Sequence, residues 1–181
     1  MSLGTFARTL VRLAVVALPI AGVSVAVAAP ASAAGTVCVD SSRSGQYSSQ
    51  VGQAIQVWNQ SVRNVQFRAG CSGGIAIITV GQISGGSQYR GDMRGHGTIY
   101  IDISQVNQGY LPLRVVAHEM GHSLGLYDNY SGPCSELMSG GGPGTSCRNY
   151  TPNAAERSRV NQIWAGRALS GTENAVFVYA R

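Results

Sequence analysis

The feature that most constrains this chain is the pentapeptide HEMGH at residues 118–122, which follows the pattern H-E-x-x-H. Because four residues of an α-helix turn through about 400°, side chains at positions i and i+4 lie about 40° apart on one face. A helix over this segment would therefore let His118 and His122 bind one metal ion. Glu119 would lie about 100° from His118, beside the ion, where a carboxylate can act as general base for a water molecule.

The alternative for this segment is a solvent-exposed helix face that carries two histidines by coincidence. The flanking positions favour a buried helix instead, because four of them are apolar: Val115, Val116, Leu124 and Leu126. Buried histidines need polar partners, and zinc is a natural partner for two imidazoles. We therefore expect a core helix that binds a metal ion.

The motif continues to Asp128 as H-E-x-x-H-x-x-G-x-x-D. Gly125 can adopt a positive φ and turn the chain sharply after the helix. Asp128 would then provide a third ligand, and a carboxylate oxygen is compatible with zinc. The alternative, an ordinary turn residue, does not account for the spacing.

This elongated motif resembles that of the metzincin zinc endopeptidases. Its final aspartate is typical of the snapalysin family, the small secreted neutral proteases of Streptomyces. The resemblance continues in four other segments: DNYSGPCSELMSGG at 128–141, ERSRVNQ at 156–162, WN at 58–59 and GHG at 95–97. It implies a minimal metzincin-like single domain that hydrolyses peptide bonds in extracellular proteins.

The resemblance also implies a role for individual residues. It makes His118, His122 and Asp128 ligands of one catalytic Zn²⁺ ion, and Glu119 the general base. Three further assignments follow from it: Met138 in a Met-turn beneath the metal, Tyr130 as a donor to the oxyanion, and Cys134–Cys147 as the family disulfide. The alternatives are a core-filling side chain for Met138 and a packed loop aromatic for Tyr130.

Two departures from the family pattern concern calcium and latency. Family members can bind calcium just before the active-site helix through an Asp and a Thr, but the matching positions here are Leu111 and Leu113. Leucine has no side-chain oxygen, which calcium requires, so we expect no calcium site. The sequence also leaves no room for a propeptide between residue 33 and Val37.

Residues 1–33 have the pattern of a secretory signal peptide. Arg8 and Arg12 form a basic start, residues 13–29 are almost entirely apolar, and Ala31-Ser32-Ala33 matches a cleavage site. A membrane anchor is the alternative, since such a run is barely long enough to span a bilayer. We expect cleavage after Ala33, secretion, and no stable membrane association afterwards.

The chain has four cysteines, all beyond the signal. An even number in an exported protein predicts two disulfides, with three possible pairings. Proximity along the sequence favours Cys38–Cys71 and Cys134–Cys147. A four-cysteine zinc site is disfavoured because no C-x-x-C pair occurs.

The remaining pattern predicts one α+β domain over residues 34–166, with a small mixed, twisted sheet and three helices. The predicted strands are 36–39, 65–68, 75–80 and 98–103, and the predicted helices are 47–62, 112–124 and 153–166. Residues 81–97 are Gly-rich and polar, which indicates a loop or ragged hairpin. Residues 167–181 form a tail whose structure the sequence does not define. We expect a peptide substrate to pair with the strand 98–103.

Composition excludes several classes of partner. All 13 basic residues are arginine, so the chain has no lysine-rich patch and we expect no nucleic-acid binding. We also expect a monomer. A non-catalytic secreted module stabilised by zinc is the alternative function, which the presence of Glu119 disfavours. A small secreted inhibitor or adhesion protein stabilised by disulfides would not need the metal motif.

His96, the remaining histidine, is expected to be structural or to line the rim of the cleft.

Overall fold

The computed structural model describes Met1, residues 35–165 and residues 175–178. All the secondary structure that it describes belongs to one unit, Ser32–Arg181. The signal peptide predicted for residues 1–33 and most of the tail 167–181 lie outside the described residues. Within the described part of the chain, no helix combines the length and apolar character needed to cross a bilayer.

Six strands form one mixed sheet: β1 (Gly35–Arg43), β2 (Val65–Ala69), β3 (Ile75–Val80), β4 (Gln88–Gly91), β5 (Gly97–Asp102) and β6 (Ala175–Val178). Their order across the sheet is β2-β1-β3-β5-β4-β6. The first four in that order run parallel, whereas β4 is antiparallel to β5 and β6 is antiparallel to β4. Strand β4 alone therefore runs opposite to the others, and both antiparallel pairings lie on one side of the sheet.

The central strands bury one face of the sheet. Ile75 and Ile77 of β3, and Ile99 and Ile101 of β5, are at most 1% exposed. These four alternate along their strands because successive side chains of a strand point to opposite faces. Their β-branched side chains fit a pleated surface, so the sequence pattern that predicts these strands is also the one that builds the core.

The described residues include four α-helices beside the sheet: α1 (Ser48–Ser61), α2 (Ile103–Asn107), α3 (Pro112–Ser123) and α4 (Ala154–Ala165). The indole N–H of Trp58, in α1, donates to the Ala117 carbonyl of α3 at 2.9 Å. The neighbouring Asn59 side chain forms two hydrogen bonds with the backbone of Phe67 in β2, at 2.8 and 2.9 Å. Helix α1 thus fixes α3 relative to the sheet.

The α+β class with a small mixed sheet is confirmed, but the fold has one helix more than predicted. The additional helix, α2, follows β5 directly. Its N-cap is Asp102, whose carboxylate accepts hydrogen bonds from the backbone N–H groups of Ser104 and Gln105. The cap is not predicted from the sequence, because the pattern there indicates a strand followed by a turn.

The antiparallel side of the sheet confirms one of the two structures expected for residues 81–97, a hairpin, and contradicts the expected free edge on β5. Residues 81–97 contain β4, which forms a hairpin with β5. Strand β5 therefore has a neighbour on each side, β3 and β4, and offers no free edge. The prediction that a substrate pairs with residues 98–103 is wrong for this reason. In the predicted tail, residues 175–178 form β6.

Two disulfides are present, Cys38–Cys71 and Cys134–Cys147, with Cα atoms 5.2 and 5.5 Å apart. The first connects β1 to the chain just after β2, across 33 positions of sequence. The second closes the loop that follows α3, across 13 positions. Restriction of the unfolded chain grows with the length of the closed loop, so the first bridge is expected to stabilise the fold more.

Replacement of both Cys38 and Cys71 by alanine is expected to lower the free energy of unfolding by about 3–4 kcal/mol, because the unfolded chain gains the freedom of a 33-residue loop. Urea unfolding measures the change. The same double replacement at Cys134 and Cys147 serves as comparison, with a smaller expected loss. Free thiols at Cys38 and Cys71 in the secreted parent protein would contradict the pairing.

Candidate active site

Helix α3 carries the H-E-x-x-H motif in the interior of the protein. Pro112 occupies its first turn, where the missing N–H leaves no hydrogen bond unmade. The three motif side chains, His118, Glu119 and His122, are completely buried. Buried polar groups need partners, so the site is defined by what these three side chains contact.

Helix α3 ends in a Schellman motif that redirects the chain. Gly125 has φ of 99°, and its N–H donates to the His122 carbonyl at 3.0 Å. The N–H of Leu126 donates to the Gly121 carbonyl at 3.2 Å, which completes the motif. The positive φ predicted for Gly125 is confirmed, and the turn returns the following residues to the helix.

Three side chains converge beyond this turn. The Nε2 atoms of His118 and His122 are 3.1 Å apart. Asp128 Oδ1 lies 3.1 Å from His118 Nε2 and 3.3 Å from His122 Nε2. The three residues predicted as metal ligands therefore form a nearly equilateral triangle of one oxygen and two nitrogen atoms.

The other nitrogen of each imidazole faces a backbone carbonyl. His118 Nδ1 is 3.0 Å from the Leu137 oxygen, and His122 Nδ1 is 2.8 Å from the Leu126 oxygen. A carbonyl oxygen only accepts hydrogen bonds, so each neutral ring carries its proton on Nδ1. Both Nε2 atoms then present lone pairs towards the Asp128 carboxylate, which is also an acceptor.

Three acceptors within 3.3 Å of one another repel unless a cation lies among them. Zinc binds histidine nitrogen and carboxylate oxygen in tetrahedral geometry at about 2.0–2.2 Å, which separates the corners by about 3.3–3.5 Å. The observed triangle has nearly these dimensions. The donor set, with both imidazoles oriented by carbonyls, fits a zinc ion.

The ionisation of the ligands agrees with this role. Burial lowers the pKa of His118 to about 4, with an added effect from His122, although Asp128 opposes the shift. The ring is thus neutral near pH 7, as a metal ligand must be.

Glu119 lies beside the triangle. One of its carboxylate oxygens is within 4.8 Å of ligand atoms of both histidines. Neither of its oxygens accepts a hydrogen bond of good geometry from the described residues. Burial raises the pKa of Glu119 well above its ordinary value, and the Asp128 charge adds to this, while the Tyr89 backbone acts weakly in the opposite direction. A carboxylate in this setting accepts a proton readily.

A tight turn packs beneath the histidines. It is a 3-10 turn over Leu137–Ser139, which we call the Met turn because Met138 is at its centre. A Cβ atom added at Gly121 would lie 2.7 Å from Met138 Sδ, a separation that real side chains do not adopt. Glycine at this position of the motif therefore lets Met138 approach α3 closely.

Comparison with known proteins decides the family. The sequence profile of the Streptomyces extracellular neutral proteinase (M7) family matches residues 34–167, which is most of the chain. The chain belongs to the M7 family. The resemblance to the snapalysin family that the motif indicates is thereby confirmed.

Three curated relatives of this M7 chain carry the name extracellular small neutral protease. The protein of Streptomyces caespitosus is 53% identical over 130 residues, which cover 72% of this chain and 97% of the relative. That of Streptomyces sp. strain C5 is 49% identical over 149 residues, 82% of this chain and 65% of the relative. That of Streptomyces lividans is 51% identical over 135 residues, 75% of this chain and 59% of the relative. The chain thus spans less than two thirds of the length of the relatives from strain C5 and Streptomyces lividans.

In this M7 family member, Tyr130 borders the site and His96 does not. Gly140 has a positive φ, and a Cβ added there would lie 3.1 Å from the His118 ring and 3.2 Å from Tyr130 Cε1. Tyr130 is therefore close to the ligand triangle and about one third exposed. His96 is mostly exposed, and its Nδ1 is 2.7 Å from Asp92 Oδ2 in the loop before β5. Among the described residues, the group that could hold a metal ion is His118, Glu119 and His122, and His96 does not belong to it.

Two buried charged residues hold the Met turn, and the sequence analysis assigned no role to either. Arg114 precedes His118 by one helical turn and is 1% exposed. Its guanidinium donates to the carbonyl oxygens of Glu136, Gly140 and Asn149 and to the Ser139 hydroxyl, at 2.6–3.2 Å. A single cation on α3 therefore holds the turn whose Leu137 carbonyl orients His118.

Glu156, at the start of α4, holds the same turn by accepting hydrogen bonds from the backbone N–H groups of the turn. Its carboxylate accepts from the backbone of Leu137 at 3.2 Å and of Met138 at 2.7 Å. It also caps α4 reciprocally with Asn153, at 2.6 and 2.9 Å. The spacing N-x-x-E is the sequence signature of such a capping box, and it could have located Glu156.

Replacement of Arg114 by methionine, which keeps most of its volume, is expected to lower the free energy of unfolding by at least about 3 kcal/mol. The reason is that several buried carbonyls would lose their donor, at about 1–3 kcal/mol each. The measurement is urea unfolding. Replacement of the exposed Arg63 by methionine is the matched control, with an expected change within about 0.5 kcal/mol. Equal effects of the two replacements would show that Arg114 does not hold the turn.

Proposed function

We propose that this chain is a secreted zinc-dependent endopeptidase of the metzincin type, which hydrolyses peptide bonds in extracellular proteins. The ligands would be His118, His122 and Asp128, with Glu119 as general base. The observation that carries the proposal is the triangle of three acceptor atoms, 3.1–3.3 Å apart, with both Nδ1 atoms oriented by carbonyls. Membership of the M7 family supports the same reaction.

The residues of the site divide the chemistry between them. Zinc, when bound, supplies a Lewis acid that polarises the scissile carbonyl and makes a water molecule more acidic. Glu119 accepts a proton from the attacking water at its carboxylate, and its buried setting favours that transfer. The protonated Glu119 then gives the proton to the leaving amine. Tyr130 would donate its phenol hydrogen to the oxyanion.

The surrounding residues keep this arrangement in place. The Leu137 and Leu126 carbonyls hold the two imidazoles in the tautomer that presents Nε2 to the metal. Met138 fills the space beneath α3. We propose further that residues 1–33 are a signal peptide removed on export, that residues 34–166 are the protease domain, and that the mature protein is a monomer.

Casein hydrolysis tests the proposal. The purified protein should cleave casein, lose activity when a chelator removes the metal, and recover it when zinc is restored. The alternative function, a non-catalytic module stabilised by zinc, predicts that zinc changes only the melting temperature. A zinc-loaded protein without hydrolytic activity on casein or denatured proteins would favour that alternative.

Calcium is expected to have little effect on stability. Leu111, at the N-terminus of α3, packs partly buried against the core, and Leu113 lies within it. Both positions lack the oxygen ligands that calcium needs, and a ligand stabilises only the state that binds it. Melting curves with and without millimolar calcium, at constant zinc, measure the effect. A rise of several degrees would show that other oxygen atoms form a calcium site.

A further inference from the structure

Strand β6 covers the edge of the sheet that adjoins the candidate active site. It pairs antiparallel with β4 in the register Gln88–Val178, Tyr89–Phe177, Arg90–Val176 and Gly91–Ala175. Without β6, β4 would be the last strand on this side of the sheet. The C-terminal segment therefore uses backbone groups of β4 that would otherwise be open to another strand.

The edge that β6 covers borders the metal-binding helix. Helix α3 packs against β4 and β5. The Tyr89 ring, in β4, stacks on the ring of His122, with centroids 6.4 Å apart and planes 22° from parallel. The other edge of the sheet, β2, is separated from β4 by three strands. Of the two edges, β4 is thus the one that adjoins the site.

An extended peptide binds a protein most simply by adding a strand to a sheet edge. A peptide substrate of this enzyme would need an edge beside His122 and Glu119, and β5 is excluded because both of its sides are paired. That leaves the outer side of β4, which β6 occupies in antiparallel orientation. A substrate and β6 would therefore compete for the same backbone N–H and C=O groups.

We propose that the C-terminal strand Ala175–Val178 is an intramolecular competitive inhibitor, which pairs with β4 in place of the peptide substrate. The inference rests on the proposed function. It gives the tail a role in latency. A tethered segment has an effective concentration near millimolar, so peptide substrates at micromolar concentration would compete poorly with it.

Proline substitution in the full-length chain tests the proposal. Successive residues of a strand direct their N–H groups to opposite sides, so V176P and F177P together remove whichever of the two faces β4. Proline also disfavours strand pairing. The matched control is S170P with G171P, outside β6. The two single substitutions in β6 are made as well, since only one of them removes the N–H that faces β4.

Kinetics with a short peptide substrate distinguish inhibition from a structural role. The KM of the V176P/F177P variant is expected to fall about tenfold with kcat unchanged, if the paired tail is favoured by about 1.4 kcal/mol, whereas the control matches the parent. A purely structural strand would leave KM unchanged or reduce kcat together with the melting temperature. Either of those results would overturn the proposal.

A binding measurement separates this proposal from the proposed function. A fluorescently labelled peptide with the sequence of residues 171–181 is titrated into zinc-loaded protein in which E119Q prevents turnover. We expect it to bind the V176P/F177P variant at least tenfold more tightly than the control variant. Equal binding to both would overturn the inference. Tighter binding together with no hydrolysis by any Glu119-containing form would instead contradict the proposed function.

Discussion

Replacement of Glu119 by glutamine is expected to reduce kcat for peptide hydrolysis by about 10²–10⁴-fold, the typical contribution of a general base. The amide keeps the size of the side chain but cannot accept a proton from water. Zinc content should stay at one ion per chain, because the three proposed ligands are untouched. Casein hydrolysis and metal analysis of the same preparation make the measurement.

The matched control for this prediction is Asp40→Asn, the same carboxylate-to-amide change at an exposed position in β1. It should leave both activity and zinc content at the level of the parent. Glu119 accepts no hydrogen bond of good geometry from the described residues, so the amide breaks none, and the melting temperature of the variant checks that its fold is intact. Near-parental hydrolysis by a zinc-loaded Glu119→Gln variant would rule out the proposed base.

The parts of the site that the sequence predicts are those governed by local rules. The bounds of α3 follow from Pro112 at its start and Gly125 just after its end. Both residues determine the backbone conformation locally, so no distant contact is needed to predict them. The convergence of His118, His122 and Asp128 follows from helical spacing and one sharp turn. All of these signals lie within about 17 consecutive residues, so the positions of the three proposed ligands can be predicted from local sequence alone.

The parts that the sequence does not predict depend on distant contacts. Strand β4 is polar and lies among glycines, and it is a strand because β5 and β6 pair with it; strand formation depends on such context more than on the residues themselves. Its partner β6 is more than 80 residues further along the chain. Arg114 interrupts an apolar helix, but its acceptors lie 22–35 residues beyond it. No feature of the sequence near Arg114 identifies these acceptors.

Replacement of Asp128 by alanine is expected to lower zinc affinity by more than 100-fold and to abolish hydrolysis at ordinary zinc concentrations. Loss of a residue that merely orients a ligand costs about 10–100-fold in metal affinity or activity, and Asp128 Oδ1 is one corner of the triangle itself. The two imidazoles alone would retain zinc weakly. Competition with a chromophoric zinc chelator measures the affinity, and casein hydrolysis measures the activity.

Asp92→Ala is the matched control, since Asp92 also lies within hydrogen-bonding distance of an imidazole and is about as exposed as Asp128. Asp92 contacts His96 rather than the two motif histidines, so both Asp92→Ala and His96→Ala should keep one zinc ion per chain. The opposite pattern would mean that the ligand set is three histidines: His96→Ala would then empty the site, and Asp128→Ala would not. Asp92 also accepts hydrogen bonds from the backbone N–H groups of Arg94 and His96, so a loss of zinc confined to Asp128→Ala separates metal binding from general destabilisation of the fold.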